Sequence, residues 1–271
     1  MTDRVTYVYA VAHNTGELED AVAALAGVDG APVRLLPATG EDELALVVSS
    51  VPAQDFDEDA LKRHLEDLEW LEAVARAHHG VIEALAARTT VLPLRLATVY
   101  LDDSRAKDVL DAGRHAFAQR LAHLSGHLEW GVKIYVEPSR APAAPEPASP
   151  PGVTPGRAYL RSRRAQKSVR DGVYQAAHQA AERVVAAGHE YAADRAGHRV
   201  QQGELASAPG ENVVNDAYLV PRDRAEEFRS AVSHAADGLP GVRVEVTGPW
   251  APYSFATPPA ASGDVTEDVR P

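Results

Sequence analysis

The sequence of 271 residues contains no cysteine and few aromatic residues, which make up 6% of the chain. Without cysteine there can be no disulfide framework, thiol nucleophile, iron–sulfur cluster or thiolate zinc site. Histidine and carboxylate groups are then the remaining ligands for a metal ion. No apolar run approaches the roughly 20 residues that a membrane-spanning helix needs. These absences exclude thiol-dependent chemistry and predict a soluble intracellular protein.

The charge balance is acidic, with 27 Lys and Arg against 39 Asp and Glu and a net charge of −12. A protein that binds a phosphate backbone needs a concentrated basic face, so this balance argues against nucleic acid binding. One stretch is nevertheless strongly basic, and its residues are Arg157, Arg161, Arg163, Arg164, Lys167 and Arg170. We interpret it as a solvated helix start or as a seat for an acidic protein surface, in preference to a nucleic acid site.

Strand and helix patterns alternate along the whole chain. The predicted strands cover 5–12, 33–36, 44–51, 91–101, 129–137, 198–206, 211–221 and 242–247. Asn14 is the predicted N-cap of a first short helix. Apolar residues at steps of three and four predict one continuous helix over 61–85, another that ends near Leu124, and a long one over 158–193 that ends at Gly197. A last helix is predicted from about Asp223.

Both halves of the chain follow the order β-α-β-β-α-β, which is that of a split βαβ or ferredoxin-like lobe. We therefore predict an α+β protein with two ferredoxin-like lobes and additional long helices. The N-terminal domain spans 1–126 and the C-terminal domain 127–256, with a Pro-rich insert at about 138–156. Residues 257–271 form a flexible tail. The alternative places the domain boundary at the Pro-rich segment.

Motifs for chemistry are scarce. The sequence contains no phosphate-binding Gly-rich loop, nucleophile elbow or HExxH motif. His123 and His127 have the i,i+4 spacing of a metal chelate, but Gly126 lies between them and no carboxylate stands one turn away. His78 falls within an apolar stripe, which predicts a hydrogen-bonded core histidine, and His79 is predicted to face solvent. We expect no catalytic residue, metal ion or cofactor.

Several segments are more specific than this general pattern. They are Asp-Leu-Glu-Trp-Leu-Glu-Ala-Val-Ala-Arg-Ala-His at 67–78, Val-Leu-Pro-Leu-Arg-Leu-Ala-Thr-Val-Tyr at 91–100, Glu-Trp-Gly-Val-Lys at 129–133, Asn-Asp-Ala-Tyr-Leu-Val at 215–220 and Thr-Gly-Pro-Trp-Ala-Pro-Tyr-Ser-Phe at 247–255. In identity and order they resemble the gas vesicle GvpL/GvpF family over about 5–255. Leu96-Ala97 stands where the family often has Phe-Gly, and Ala251 where proline is common.

This resemblance implies a non-enzymatic accessory or minor structural protein of gas vesicle assembly. Its expected partners are the hydrophobic shell protein GvpA and other accessory proteins, with no nucleic acid and no membrane. It would assist nucleation or incorporation of the shell protein, in the cytoplasm before assembly and in the gas vesicle afterwards. The alternative is a ligand-sensing regulatory module, because paired ferredoxin-like lobes often bind small molecules.

Six residues are candidates for partner binding. Trp250, Tyr253 and Phe255 follow the last strand among prolines and could anchor a partner. In an alternative interpretation these rings staple the C-terminus across the first lobe. The other three candidates lie in the basic stretch and are Arg157, Arg161 and Arg164.

Overall fold

The computed structural model describes residues 4–40, 44–64, 66–138, 155–200 and 210–256. Most of the predicted Pro-rich insert and the whole predicted tail lie outside these ranges. The chain divides into two compact units, of which the second is Gly126–Trp250. The first unit contains Met1–Ser125 and also the segment from Ala251 onward. The sequence pattern, by contrast, places residues up to 256 with the second domain.

The first unit is built on an antiparallel sheet. Its elements are β1 (Arg4–His13), α1 (Gly16–Ala23), β2 (Arg34–Pro37), β3 (Leu44–Pro52), α2 (Ala53–Phe56), α3 (Glu58–His64), α4 (Leu68–Ala86), β4 (Val91–Pro93), β5 (Val99–Tyr100) and α5 (Asp103–Leu124). The strand order is β2-β3-β1-β4, and β5 also pairs with β1. Thr15, and not Asn14 as predicted, caps α1, because its hydroxyl accepts the Leu18 N–H.

Helices cover both faces of this sheet, which explains why β1 is apolar along nearly its whole length. Tyr7 and Tyr9 belong to the core that α1 and α4 share with the sheet. The neighbouring Thr6 donates a hydrogen bond of 2.7 Å to Asp103, the first residue of α5. Successive side chains of a strand point to opposite faces, so α5 lies on the face opposite to α4.

The predicted continuous helix over 61–85 is two helices. Helix α3 ends at His64, and α4 begins at Leu68 after an N-cap at Asp67. The Asp67 carboxylate accepts the backbone N–H groups of Glu69 and Trp70, which satisfies two donors that a helix start leaves free. Leu68, which the pattern places in the apolar stripe, is 77% exposed. The sequence pattern predicts a single helix here because the apolar spacing continues through both helices, and only the capping residue Asp67 marks the boundary.

The second unit is also an antiparallel sheet with helices. Its elements are β6 (His127–Val136), α6 (Pro155–Tyr191), β7 (Asp194–Gly197), β8 (Glu211–Pro221), α7 (Ala225–Ser233) and β9 (Val242–Trp250). The strand order is β7-β8-β6-β9. The prediction for β8 is confirmed. The strand predicted at 198–206 is found earlier, at β7, because α6 ends at Tyr191 and not at Gly197. Residues 201–206 of that prediction lie outside the described residues.

Small residues let α6 lie close to its sheet. Ala177, Ala180 and Val184 are buried on its inner side together with residues of β6 and β8. At Gly188 the approach is so close that an added Cβ would stand 2.4 Å from the Tyr218 ring. The alanine stripe predicted from the sequence therefore serves as the contact surface of this helix.

Candidate partner-binding surfaces

The three aromatic residues of the C-terminal segment have different environments. Trp250 ends β9 with 40% of its surface exposed, and its indole N–H donates to the Thr247 hydroxyl at 3.3 Å. Tyr253 is half-buried against the core of the first unit. Phe255 is 4% exposed. Of the three rings, only Trp250 therefore offers a large open surface.

Tyr253 is in contact with α4. Its hydroxyl lies 3.3 Å from His79 Nδ1, and His79 Nε2 lies 3.1 Å from the Glu83 carboxylate. His79 is thus half-buried between these two side chains and does not simply face solvent as predicted. Together with buried Phe255, this contact attaches the C-terminal segment to the first unit, as the stapling interpretation requires.

The C-terminal segment reaches an apolar groove of the first unit. This cavity of about 300 Å³ lies between β4, β5 and α5. Its main apolar lining residues are Leu92, Leu94, Tyr100, Phe117 and Ala256. Arg95 and Arg120 supply the charged part of the lining. The groove can therefore take an apolar side chain and place a carboxylate or carbonyl oxygen against a guanidinium group.

The groove exists because the strand predicted over 91–101 is interrupted. It forms two short strands, β4 and β5, with a loop between them. In this loop Ala97 adopts a φ of 60°, and its N–H donates to the Tyr7 hydroxyl at 3.1 Å. Leu96, which stands beside it, is 39% exposed. Sequence reasoning missed this groove, although Pro93 was a signal of irregularity near the start of the strand.

A buried pair of side chains supports the groove loop from below. Tyr7 accepts the Ala97 N–H, so its own proton is free for His78 Nδ1, 3.0 Å away. Burial lowers the pKa of His78 to about 4 and raises the pKa of Tyr7 well above its usual value. Both groups are therefore neutral at pH 7. The prediction that His78 is a hydrogen-bonded core histidine is confirmed.

The left-handed backbone of Ala97 gives a first prediction. A residue with a Cβ is strained at positive φ, whereas glycine is not. Replacing Ala97 with glycine, the residue that the related family often has there, is therefore expected to raise the free energy of unfolding by about 0.5–1 kcal/mol. Chemical denaturation measures this difference. Ala87, with a φ of −66°, is the control, because the same change there should lower stability; a loss at both positions would contradict the prediction.

The three candidate arginines lie near the start of α6, in the second unit. Arg157 and Arg164 are exposed and Arg161 is half-buried. Tyr253 and Phe255, by contrast, belong to the first unit. The basic stretch therefore has to be considered as a surface of its own.

The described residues contain neither a candidate metal site nor a candidate membrane-spanning helix. No group of three or more His, Asp or Glu within them is placed to hold a metal ion. Helix α5 ends at Leu124, so His123 and His127 do not share a helix. Among the same residues, no helix combines the length and the apolar character needed to cross a membrane.

Comparisons with known proteins agree on one family. The sequence profile described as "Gas vesicle synthesis protein GvpL/GvpF" matches residues 5–257. The chain is 46% identical to gas vesicle protein L of Streptomyces sp. (strain CB03234), with 99% of this chain and 97% of the relative covered. It is 28% identical to gas vesicle protein F of the same strain, with 92% and 98% covered.

Solved structures share the fold. The crystal structure of the gas vesicle protein GvpF from Anabaena sp. PCC7120 matches with a TM-score of 0.60 at 17% identity, covering 94% of this chain and 97% of that one. The GvpF structure from Microcystis aeruginosa matches with the same TM-score at 16% identity, covering 93% and 99%. At these identities the likeness concerns the fold alone.

Proposed function

The chain belongs to the GvpL/GvpF family of gas vesicle proteins, and from this membership we propose that it binds the hydrophobic shell protein GvpA and assists its nucleation or incorporation into the vesicle wall. It acts without catalysing a reaction, in the cytoplasm before assembly and on the gas vesicle afterwards. Other accessory proteins of the same organelle are further partners. The identity of 46% to an L protein, against 28% to an F protein, supports an L-type role.

The observation that carries this proposal is the apolar groove of the first unit. A shell protein before assembly exposes apolar surface, and such surface aggregates unless a partner covers it. The groove offers Leu94, Tyr100 and Phe117 to an apolar segment and has arginines at hand for its polar groups. Trp250, exposed at the end of β9, is a second contact that we propose for the same partner.

We also propose that each unit is a ferredoxin-like lobe. The strand orders β2-β3-β1-β4 in the first unit and β7-β8-β6-β9 in the second support this proposal, because they are compatible with a split βαβ arrangement. Helix α5 is then an addition to the first lobe, and it is the addition that forms one wall of the groove. The proposed binding surface thus lies where this lobe departs from the simple arrangement.

Groove binding is tested by two matched substitutions on α5. Ala116 and Ala112 are both exposed and lie one turn apart, but only Ala116 lines the groove. Ala116→Glu is expected to weaken binding of GvpA about 10-fold or more, since the longer side chain fills part of the groove and its carboxylate competes with the partner for the arginines of the lining. Ala112→Glu should leave binding within about 2-fold, because exposed sites have small effects. Co-purification of the two co-expressed proteins measures the ratio.

The same assay can contradict the proposal. If the wild-type protein recovers GvpA and both variants recover the same amount, the groove is not the contact surface. Trp250→Ala then tests the second contact. If the wild-type protein recovers no GvpA under vesicle-forming conditions, and a deletion strain still builds normal vesicles, the proposed function itself is wrong.

A further inference from the structure

Helix α6 extends well beyond the core of its unit. It has 37 residues, and the buried side chains of its described part begin at Val173. Every described side chain from Arg157 to Asp171 is exposed or half-buried. At 1.5 Å per residue, the part of α6 before Val173 is about 27 Å long. This part of the helix therefore presents side chains that its own unit does not use for packing.

The side chains on this part are mostly basic. We call residues 157–167 the basic segment, and its cations are Arg157, Arg161, Arg163, Arg164 and Lys167. Among the described residues, none of these five forms an ion pair. Arg163 lies over the Tyr159 ring, with 6.0 Å from its guanidinium carbon to the ring centre.

The placement of these charges opposes helix stability. Arg157 and Arg161, like Arg163 and Lys167, are four residues apart, a spacing at which like charges repel across one turn. Arg157 also lies in the first turn of the helix, where the helix dipole favours negative charge, and this turn has no acidic residue. An anionic partner would relieve both effects at once.

Apolar side chains stand among the charges. Tyr159 is 62% and Leu160 57% exposed. The combination of exposed rings or aliphatic chains with unpaired cations suits a protein surface that carries both carboxylates and apolar groups. A long nucleic acid would extend beyond the segment onto a chain whose remaining residues are strongly acidic, given the net charge of −12.

We infer that the basic segment of α6 binds an acidic segment of a partner protein. Its cations pair with carboxylates on the partner, and Tyr159 and Leu160 cover the partner's apolar residues between them. Charge complementarity identifies this occupant. The inference is independent of the groove on the first unit, so either can fail while the other holds.

The test uses the full chain and a fluorescein-labelled 20-residue peptide that repeats Glu-Leu-Glu-Ala. Fluorescence anisotropy gives its affinity at low and at physiological salt. The variant Arg163→Glu/Arg164→Glu/Lys167→Glu should bind the peptide at least about 10-fold more weakly, because attraction becomes repulsion. The control Arg63→Glu/Arg88→Glu/Arg105→Glu makes the same change of charge at three exposed arginines of the first unit. It should alter binding less than about 3-fold.

Two further probes separate other occupants. A 20-nucleotide oligo-dT and vesicles that contain phosphatidylserine are measured in the same way. Tighter binding of either than of the peptide, lost in the segment variant, would overturn the inference, and so would equal losses in both triple variants or no peptide binding at all. Circular dichroism checks that each variant is folded. The neutral variant Arg163→Gln/Arg164→Gln/Lys167→Gln removes the cations without adding negative charge. It should also bind the peptide more weakly than the wild type, which shows that the loss does not come from a helix disturbed by reversed charge.

Discussion

Replacing Gly188 with leucine is expected to lower the free energy of unfolding by about 3 kcal/mol, because the new side chain has no space against β8. A Cβ at this position would lie 2.4 Å from Tyr218 Cε1 and 3.1 Å from Cδ1. Tyr218 is 1% exposed and cannot swing away easily. Its ring centre is 5.2 Å from that of Phe228, and the guanidinium group of Arg195 lies over the ring.

Gly172 on the same helix provides the control. Nothing lies within 4 Å of a Cβ built at Gly172, which is exposed. Leucine there should raise the free energy of unfolding by up to about 0.8 kcal/mol, since glycine is a poor helix former. Urea denaturation followed by circular dichroism compares the two variants with the wild type. Similar gains at both positions would show that α6 does not approach β8 at Tyr218.

The contrast between these two glycines shows what local pattern can and cannot predict. The recurrence of Ala177, Ala180 and Val184 predicts a long helix with a small-residue face, and α6 has that face. It does not say which ring lies against Gly188, because Tyr218 is 30 positions away in the chain and meets the helix through sheet pairing. Local periodicity therefore predicts the element and its inner side, whereas the partner of that side depends on topology.

The groove was missed for a related reason. Residues 91–101 have the composition of a strand, and composition does not register that Ala97 takes a left-handed φ. What holds this conformation is the hydroxyl of Tyr7, a residue of β1 about 90 positions earlier. Besides Pro93, the local signal was position 97, where the related family often has glycine, since glycine accepts positive φ without strain. Strand propensity was thus overridden by a tertiary hydrogen bond.

The three aromatic residues of the C-terminal segment show the same limit of local sequence patterns. Tyr253 and Phe255 share a short, proline-rich segment with Trp250, so a linear pattern treats the three rings alike. Their environments differ, because the Tyr253 hydroxyl lies against His79 of α4, Phe255 is buried and Trp250 is exposed. The basic segment, in contrast, could be found from the sequence. Unpaired arginine and lysine side chains are almost never fully buried, so a run of them predicts an exposed surface.

Acidification is expected to destabilise the protein through His78. Burial lowers the folded-state pKa of His78 to about 4, whereas an unfolded chain has a histidine pKa near 6.5. As the pH falls below about 6.5 the unfolded state takes up the proton first, so stability is complete above this pH and is lost progressively down to about pH 4. Between pH 7.5 and pH 5 this linkage lowers the free energy of unfolding by about 2 kcal/mol.

The substitution His78→Gln isolates this contribution. Glutamine does not titrate, and its carbonyl can still accept the proton of Tyr7, whose hydroxyl stays neutral because burial raises its pKa. We expect the variant to be less stable than the wild type at pH 7.5 but to lose about 2 kcal/mol less on going to pH 5. Urea denaturation at the two pH values measures both differences. The two proteins differ at this one side chain, so equal pH dependence of their stability would mean that His78 is not buried as a neutral side chain.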